Sequence, residues 1–231
     1  MAPLRQVFYR FSPRFIGASI LYRFAVKVAP IILIIVCLSF VTIAFAGNTG
    51  SPVKSILEAR HENVVLQHYE LSCAAAALST ILRYQYGFPA TEHSVALGLI
   101  NRQEYLVNPD LVVLRQGFSF FDMKRFVDSL GYEGVGLGQL AFSDLLEHAP
   151  IIVPVNLKGY PHFVVFRGAT TNRVLLADPA FGNLTIAVDK FIDGWIEYRD
   201  IGRVGFVVTK EGSLAPPGRL LARPAEFVFL K

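Results

Sequence analysis

A single cysteine outside the apolar N-terminus has surroundings that suit nucleophilic chemistry. Cys73 stands at the start of an alanine-rich stretch, Cys-Ala-Ala-Ala-Ala-Leu, whose composition predicts a helix. The first turn of a helix offers free backbone N–H groups and the positive end of the dipole, so the sequence predicts a lowered pKa for this thiol. Because a buried structural cysteine can have the same neighbours, the interpretation depends on residues elsewhere in the chain.

One histidine and one aspartate are expected to meet in a hairpin. Residues 162–167 and 173–178 are rich in β-branched and aromatic side chains, and a turn sequence separates them. If the turn is centred on Thr170, His162 lies directly opposite Asp178. Directly opposed residues share one face of the sheet. The sequence therefore predicts an imidazole–carboxylate pair at the open end of this hairpin.

These residue types together make up a thiol-based acyl-transfer site. Cys73 would attack a carbonyl carbon, His162 would accept the thiol proton, and Asp178 would hold the imidazole in one tautomer. Gln67 stands six residues before the cysteine, and its amide N–H could face the oxygen that becomes negative. The alternative is a satisfied His–Asp pair and a solvated glutamine without any catalytic role.

The elements that position these residues change from helical to extended along the chain. Ser72 is a candidate N-cap for the cysteine helix, while Thr91 and Ser119 precede two further helical patterns. A polar, irregular connection is expected between the second and third helices. From Gly134 to Thr209 the pattern is mostly of short strands. Helices followed by antiparallel strands predict an α+β domain, with N-terminal helices packed on the sheet.

The N-terminal part of the chain is basic and then strongly apolar. Five of the 22 Lys and Arg residues, and none of the 18 Asp and Glu residues, precede residue 28. Residues 28–46 carry no charged side chain, a length that as a helix would cross ~30 Å of hydrocarbon. The preceding positive charges predict a cytoplasmic start and export of the rest. Ala44-Phe45-Ala46 resembles a cleavage site, so a signal peptide and an N-terminal membrane anchor both stay open.

The exported part has no features of a nucleic-acid or metal protein. Beyond residue 46 the chain has 17 Lys and Arg against 18 Asp and Glu, so the positive charge belongs to the leader. Cys73 is the only cysteine of this part, which excludes an internal disulfide. The histidines are scattered without the spacing of metal ligands. We therefore expect no nucleic-acid partner, no metal and no cofactor.

The motifs around these residues resemble those of the bacteriocin-processing, double-glycine leader peptidases, a papain-like cysteine peptidase family. The family has a Gln, five residues and then a Cys followed by small residues, as in Gln67 to Cys73-Ala-Ala-Ala. Its His-aromatic-Val-Val strand corresponds to His162-Phe-Val-Val. Its Val-Leu-apolar-Ala-Asp-Pro-Ala-x-Gly segment corresponds to residues 174–182. The resemblance implies a papain-like fold and gives Cys73, His162, Asp178 and Gln67 the roles named above.

Two departures from the family pattern bear on the function. Many members have an acidic residue before the Cys and a Gly after it, where this chain has Ser72 and Ala74. Many are also parts of ATP-driven exporters, whereas this chain has no Gly-x4-Gly-Lys-Ser/Thr phosphate-binding loop. The chain is similar to the stand-alone peptidase component of functional-amyloid secretion systems. Cleavage after a Gly-Gly leader therefore does not transfer automatically.

The resulting expectation is a cysteine peptidase that cleaves an exported polypeptide in the periplasm, either a leader or secretion-system component or an amyloid-type protein. It would be soluble after signal cleavage, or attached to the inner membrane through residues 28–46. Two alternatives remain: a docking module of a secretion system that does not cleave, and an acyl or peptidyl transferase with the same triad. The expected organisation is a signal peptide or anchor at 1–46, a linker at 47–61, the papain-like domain at 62–210, and a Pro/Arg-rich tail at 211–231 that sits loosely on the surface.

Overall fold

A computed structural model describes residues 54–210 and 219–230 of the chain. The predicted leader and most of the linker, up to residue 53, lie outside these residues. The described residues belong to one compact unit. Within this unit, no helix is both long enough and apolar enough to cross a membrane.

Helices fill the first half of the unit, and capping side chains begin three of them. Ser55, Thr91 and Ser119 each accept a hydrogen bond from the backbone N–H three residues on, as a capping box does. Of the three predicted caps, Ser72, Thr91 and Ser119, the latter two are confirmed. A π-helical turn, Ile81–Gln85, continues the second helix. The helices are α1 (Ile56–His61), α2 (Cys73–Thr80), α3 (Glu92–Ile100), α4 (Gln103–Val107), α5 (Asp110–Leu114), α6 (Phe120–Ser129), α7 (Phe142–His148), α8 (Val188–Gly194) and α9 (Pro224–Phe229).

The strands form a six-stranded antiparallel sheet, which confirms the predicted α+β class. Its spatial order is β1-β8-β2-β3-β4-β5, and every paired neighbour is antiparallel. A separate ribbon of two short strands, β6 and β7, stands beside it. The strands are β1 (Glu133–Leu137), β2 (Ile151–Val155), β3 (His162–Ala169), β4 (Arg173–Asp178), β5 (Gly182–Ala187), β6 (Glu197–Tyr198), β7 (Gly202–Arg203) and β8 (Gly205–Thr209).

Apolar cores cover both faces of the sheet. All eight residues of α2 are buried, and the small alanine side chains let this helix pack closely on β3. The core on this face includes Leu78 and Leu82 with Val165 of the sheet. On the opposite face, α7 and α8 contribute Leu145 and Phe191 to a second core. The cysteine helix is thus held rigidly against the strand that begins with His162.

The C-terminal segment is packed, which corrects the expectation of a loose tail for residues 219–230. Leu220 is fully buried, and α9 packs Phe227 against Leu175 of the sheet. The buried Arg167 side chain of β3 donates to the Leu220 carbonyl and to the carboxylate of Glu226. Composition alone pointed to a solvated tail because the partners of these residues lie far away in the sequence.

Candidate active site

The predicted nucleophile stands at the N-terminus of a buried helix. Cys73 is the first residue of α2, as predicted, and is 8% exposed. Ser72 occupies the N-cap position, but its side chain makes no cap hydrogen bond, so the predicted capping role is wrong. Its hydroxyl instead donates to the Tyr69 carbonyl and to Glu92.

The predicted lowering of the thiol pKa is also wrong. Burial raises the pKa of Cys73 above its ordinary value, and the charge of Asp178 raises it further. Backbone hydrogen bonds from Phe163 and Ala74 act in the opposite direction without reversing the shift. Desolvation therefore outweighs the helix N-terminus, and the resting thiol holds its proton. A neighbouring base is needed to remove it.

His162 and Asp178 form the expected pair. His162 Nε2 lies 3.0 Å from Asp178 Oδ2, and the two residues are only 6% and 2% exposed. Since Asp178 occupies Nε2, Nδ1 is the ring nitrogen left for another partner. The Tyr160 carbonyl is 3.5 Å from Nδ1, at the outer limit of a hydrogen bond.

The register that brings this pair together differs from the predicted one. Phe166 pairs with Leu176, two residues beyond Val174, which would be its partner if the turn were centred on Thr170. The hairpin closes between Thr170 and Arg173, so Thr170 is not its centre, and a bulge interrupts the ladder between Phe166 and Gly168. On the His162 side of the bulge, this shift of two residues leaves the side chains on the predicted face. His162 and Asp178 are therefore diagonal neighbours, not directly opposed ones.

A tight turn after β4 holds the carboxylate. Asp178 Oδ1 accepts from the backbone N–H groups of Ala180 at 2.8 Å and Phe181 at 3.3 Å. Gly182 then pairs with Asp178 and has a φ of 77°, a left-handed conformation that favours glycine. Both carboxyl oxygens thus accept hydrogen bonds from defined donors.

Cys73 and His162 line the same cleft, whose volume is about 720 Å³. The cleft runs between α6, β1 and the β6–β7 ribbon, and its walls are largely apolar. Gly136 and Gly138 form part of one wall. Other lining residues are Gln116, Phe118, Phe120, Pro161, Tyr198 and Ile201.

Gln67 approaches the site through its backbone. Its N–H donates to the Pro179 carbonyl at 2.8 Å, next to Asp178. The residue is half-buried, and it is not among those that line the cleft. The structure therefore brings Cys73 and His162 to one cleft, pairs His162 with Asp178, and ties the loop that carries Gln67 to the Asp178 turn.

Two residues at the site carried too little sequence signal for a role to be assigned. The Tyr160 ring stacks on His162 with a centroid distance of 4.8 Å, a contact that no sequence motif indicates. Glu92 is 5% exposed and binds the loop before Cys73. It lies 20 residues from Ser72, so no local motif links the two.

Comparison with known proteins decides the family. Residues 61–199 match the sequence profile described as the peptidase C39 family. The chain belongs to the peptidase C39 family. This C39 chain is 38% identical over 178 residues to a protein named probable functional amyloid protease FapD of Pseudomonas fluorescens, a match that covers 74% of each chain. It is 35% identical over 192 residues to the protein of the same name from Pseudomonas aeruginosa, with 80% of each chain covered.

The fold of this C39 member agrees with a solved structure. The peptidase domain of Streptococcus ComA, a bifunctional ABC transporter, superimposes with a TM-score of 0.50 at 17% identity. The match covers 65% of this chain and all of that domain. The protein is thus a cysteine-type peptidase, with N-terminal helices on an antiparallel sheet as in C39 peptidase domains.

Proposed function

We propose that this C39 peptidase cleaves an exported polypeptide through Cys73, His162 and Asp178. His162 Nδ1 takes the thiol proton as Sγ attacks the scissile carbonyl carbon. The tetrahedral intermediate collapses, the C–N bond breaks, and His162 returns the proton to the leaving amine. Water then attacks the thioester, which releases the acid and restores the thiol.

The buried His162–Asp178 pair carries this proposal. An imidazole that faces a substrate cleft, with its second nitrogen held at 3.0 Å by a carboxylate, has the orientation of a general base. The carboxylate also stabilises the imidazolium formed after proton transfer. The raised pKa of Cys73 fits a thiol that is deprotonated only as it reacts.

Gln67 is the proposed donor to the negative oxygen of the intermediate. Its loop ends at Cys73, whose backbone N–H stands in the first turn of α2, where helix geometry provides no intrahelical acceptor, so two donors could converge there. Removal of one donor of this kind costs about 3 kcal/mol of transition-state stabilisation. The backbone bond to Pro179 keeps Gln67 beside the Asp178 turn.

The proposed substrate is an amyloid-type exported protein, and the proposed location is the periplasm. The substrate class is supported by the name of the two curated relatives, functional amyloid protease. The location is supported by the basic, then apolar, sequence of residues 1–46. Fractionation of cells and mass spectrometry of the mature N-terminus distinguish a cleaved leader from an anchor.

The direct test is processing of the exported proteins encoded beside this gene. Each candidate is co-expressed with wild type, Cys73→Ala, His162→Ala or His148→Ala, and its fragments are mapped by mass spectrometry. His148 is an exposed histidine on α7 and serves as the matched control. We expect discrete fragments with wild type and His148→Ala, and intact protein with the other two.

Each other outcome has a defined meaning. Equal processing by wild type and Cys73→Ala would remove the catalytic claim. Binding of a candidate without cleavage by wild type would favour the docking module. Fragments joined to an added amine, instead of free acids, would identify a transferase.

A further inference from the structure

The segment between Gln67 and Cys73 has little regular structure of its own. This pre-cysteine loop, residues 67–72, contains turns and bends but no helix or strand. Leu71 adopts a φ of 62°, a left-handed conformation that is unfavourable for a leucine. Yet both proposed oxyanion donors, the Gln67 amide and the Cys73 backbone N–H, lie at its ends. Something outside the loop must hold its shape.

Glu92 makes the contacts that can hold it. Oε1 accepts from the backbone N–H groups of His68 at 2.8 Å and Tyr69 at 3.1 Å, and from the Ser72 hydroxyl at 2.5 Å. Oε2 lies 2.9 Å from the His68 backbone N and 3.0 Å from the His68 ring Nδ1. One carboxylate therefore binds three residues of the pre-cysteine loop.

Capping of α3, the helix that begins with Glu92, does not account for these contacts. Thr91 and Ser94 already form the capping box of α3. The Glu92 side chain is 5% exposed and turns away from its helix toward the loop. Burial by itself would raise the pKa of Glu92, but the hydrogen bonds from Ser72, His68 and Tyr69 outweigh burial and lower it. The group is therefore a carboxylate at neutral pH, with acceptors only.

We propose that Glu92 is a positioning residue that sets the oxyanion site by fixing the pre-cysteine loop. This inference rests on the proposed function. Glu92 does not line the cleft that holds Cys73, so it acts through the loop and not on substrate. Its loss should lower kcat and leave KM nearly unchanged, because the cleft walls are intact.

The hydrogen-bonding chemistry of the Glu92 side chain decides which substitution tests the proposal best. Glutamine has the same length, but its NH₂ group would face N–H donors where the carboxylate now accepts. Glu92→Gln should therefore disturb the loop, whereas Glu92→Asp keeps the acceptors on a shorter stem and should recover part of the activity. Asp110→Asn is the matched control, since Asp110 is an exposed acid at the first position of α5.

The experiment measures kcat and KM with a fluorogenic peptide that spans the cleavage site mapped in the processing assay. It also measures iodoacetamide alkylation of Cys73, which needs no oxyanion donor. We expect Glu92→Gln to lower kcat about 100-fold with KM within about threefold. Alkylation should stay within about threefold of wild type, and Asp110→Asn should match wild type throughout.

A double-mutant cycle with Gln67→Ala separates positioning from general support of the fold. If Glu92 acts through the Gln67 donor, Glu92→Gln should add less than about threefold to the loss caused by Gln67→Ala. Fully multiplicative losses would overturn the inference. So would a Glu92→Gln variant that matches Asp110→Asn while Cys73→Ala is inactive.

A different result would show that the proposed function itself is wrong. In that case Cys73→Ala itself would cleave the peptide like wild type. If Glu92→Gln does not fold, Ser72→Ala replaces it, because this change removes the 2.5 Å contact and leaves the backbone donors. We expect Ser72→Ala to lower kcat about tenfold with alkylation retained, and an unchanged kcat would contradict the inference.

Discussion

At the scale of single residues, Asp178 uses both carboxyl oxygens. Oδ2 faces His162, and Oδ1 accepts from the backbone N–H groups of Ala180 and Phe181. An asparagine cannot replace both acceptors, because its NH₂ group must face donors on one side. The same carboxylate thus orients the imidazole and stabilises the turn after β4.

Asp178→Asn should therefore lower kcat by roughly 100-fold, since the imidazole loses a fixed tautomer or the turn loses its acceptor. Turnover of the cleavage-site peptide measures the effect. Asp193→Asn, at an exposed carboxylate on α8, is the control and should be unaffected. Equal activity of the two variants would show that the His162–Asp178 contact does not matter for turnover.

The thiol should show an alkaline reactivity profile. Burial raises the pKa of Cys73, so the thiolate fraction in the resting enzyme grows only above the usual thiol pKa of about 8.5. The rate of iodoacetamide alkylation, measured from pH 6 to 10, should still be rising at pH 9. A plateau reached near neutral pH would mean that the thiolate is stabilised in the resting state.

At the scale of elements, the turn between β4 and β5 depends on Gly182. A Cβ there would lie 2.4 Å from the Arg60 carbonyl oxygen, in addition to the strain of a positive φ. Gly131 has nearly the same φ of 78°, but a Cβ there would meet nothing within 4 Å. The two glycines form a matched pair that separates backbone strain from steric conflict.

Gly131→Ala should cost about 1–2 kcal/mol of unfolding free energy, the usual cost of a left-handed alanine. Gly182→Ala should cost clearly more and should also lower turnover, because the turn that holds Asp178 must move. Urea denaturation and peptide turnover measure the two effects. Similar losses for both variants would show that the Arg60 contact is relaxed without cost.

Elements with local signals could be predicted from the sequence, and elements held by distant contacts could not. The Thr91 cap located the start of α3. The five-residue helices α4 and α5 were missed, because helices this short need tertiary support. For α4 that support is Tyr105, whose hydroxyl donates to the buried Asp122 of α6 at 2.8 Å.

The candidate site also has features that local motifs predict and features that only tertiary packing sets. Cys73, His162 and Asp178 stand in strong local motifs, so their types and order were readable from the sequence. The register between β3 and β4 was not, because a bulge and the closing turn set it. Desolvation of the thiol and the Glu92 contacts are products of packing, and no spacing in the sequence encodes them.

At the scale of the whole molecule, Arg167 joins segments from both ends of the described chain. The residue is 1% exposed and binds Glu226 of α9 and Asn183 of β5. The amide of Asn183 in turn donates to backbone carbonyls at the end of α1, including that of Glu62 at 2.6 Å. One buried polar network thus links the first helix, the sheet and the last helix.

Glu226→Ala should destabilise the protein by about 3–5 kcal/mol, because it leaves the buried guanidinium without its carboxylate. Glu197→Ala is the control, since Glu197 is exposed and its pair with Arg203, at 3.9 Å, should contribute less than about 1 kcal/mol. Chemical denaturation measures both variants. Equal midpoints would mean that other acceptors compensate Arg167 fully.

The Arg167 contacts also have a consequence for the order in which the chain matures. Glu226 follows Arg167 by 59 positions, so in an exported chain that emerges N-terminus first, strand β3 arrives well before its counter-charge. Until then the interior would hold an unneutralised cation, which disfavours closure of the sheet around it. Peptidase activity should therefore require the chain through α9, and chains truncated before α9 should stay sensitive to added protease.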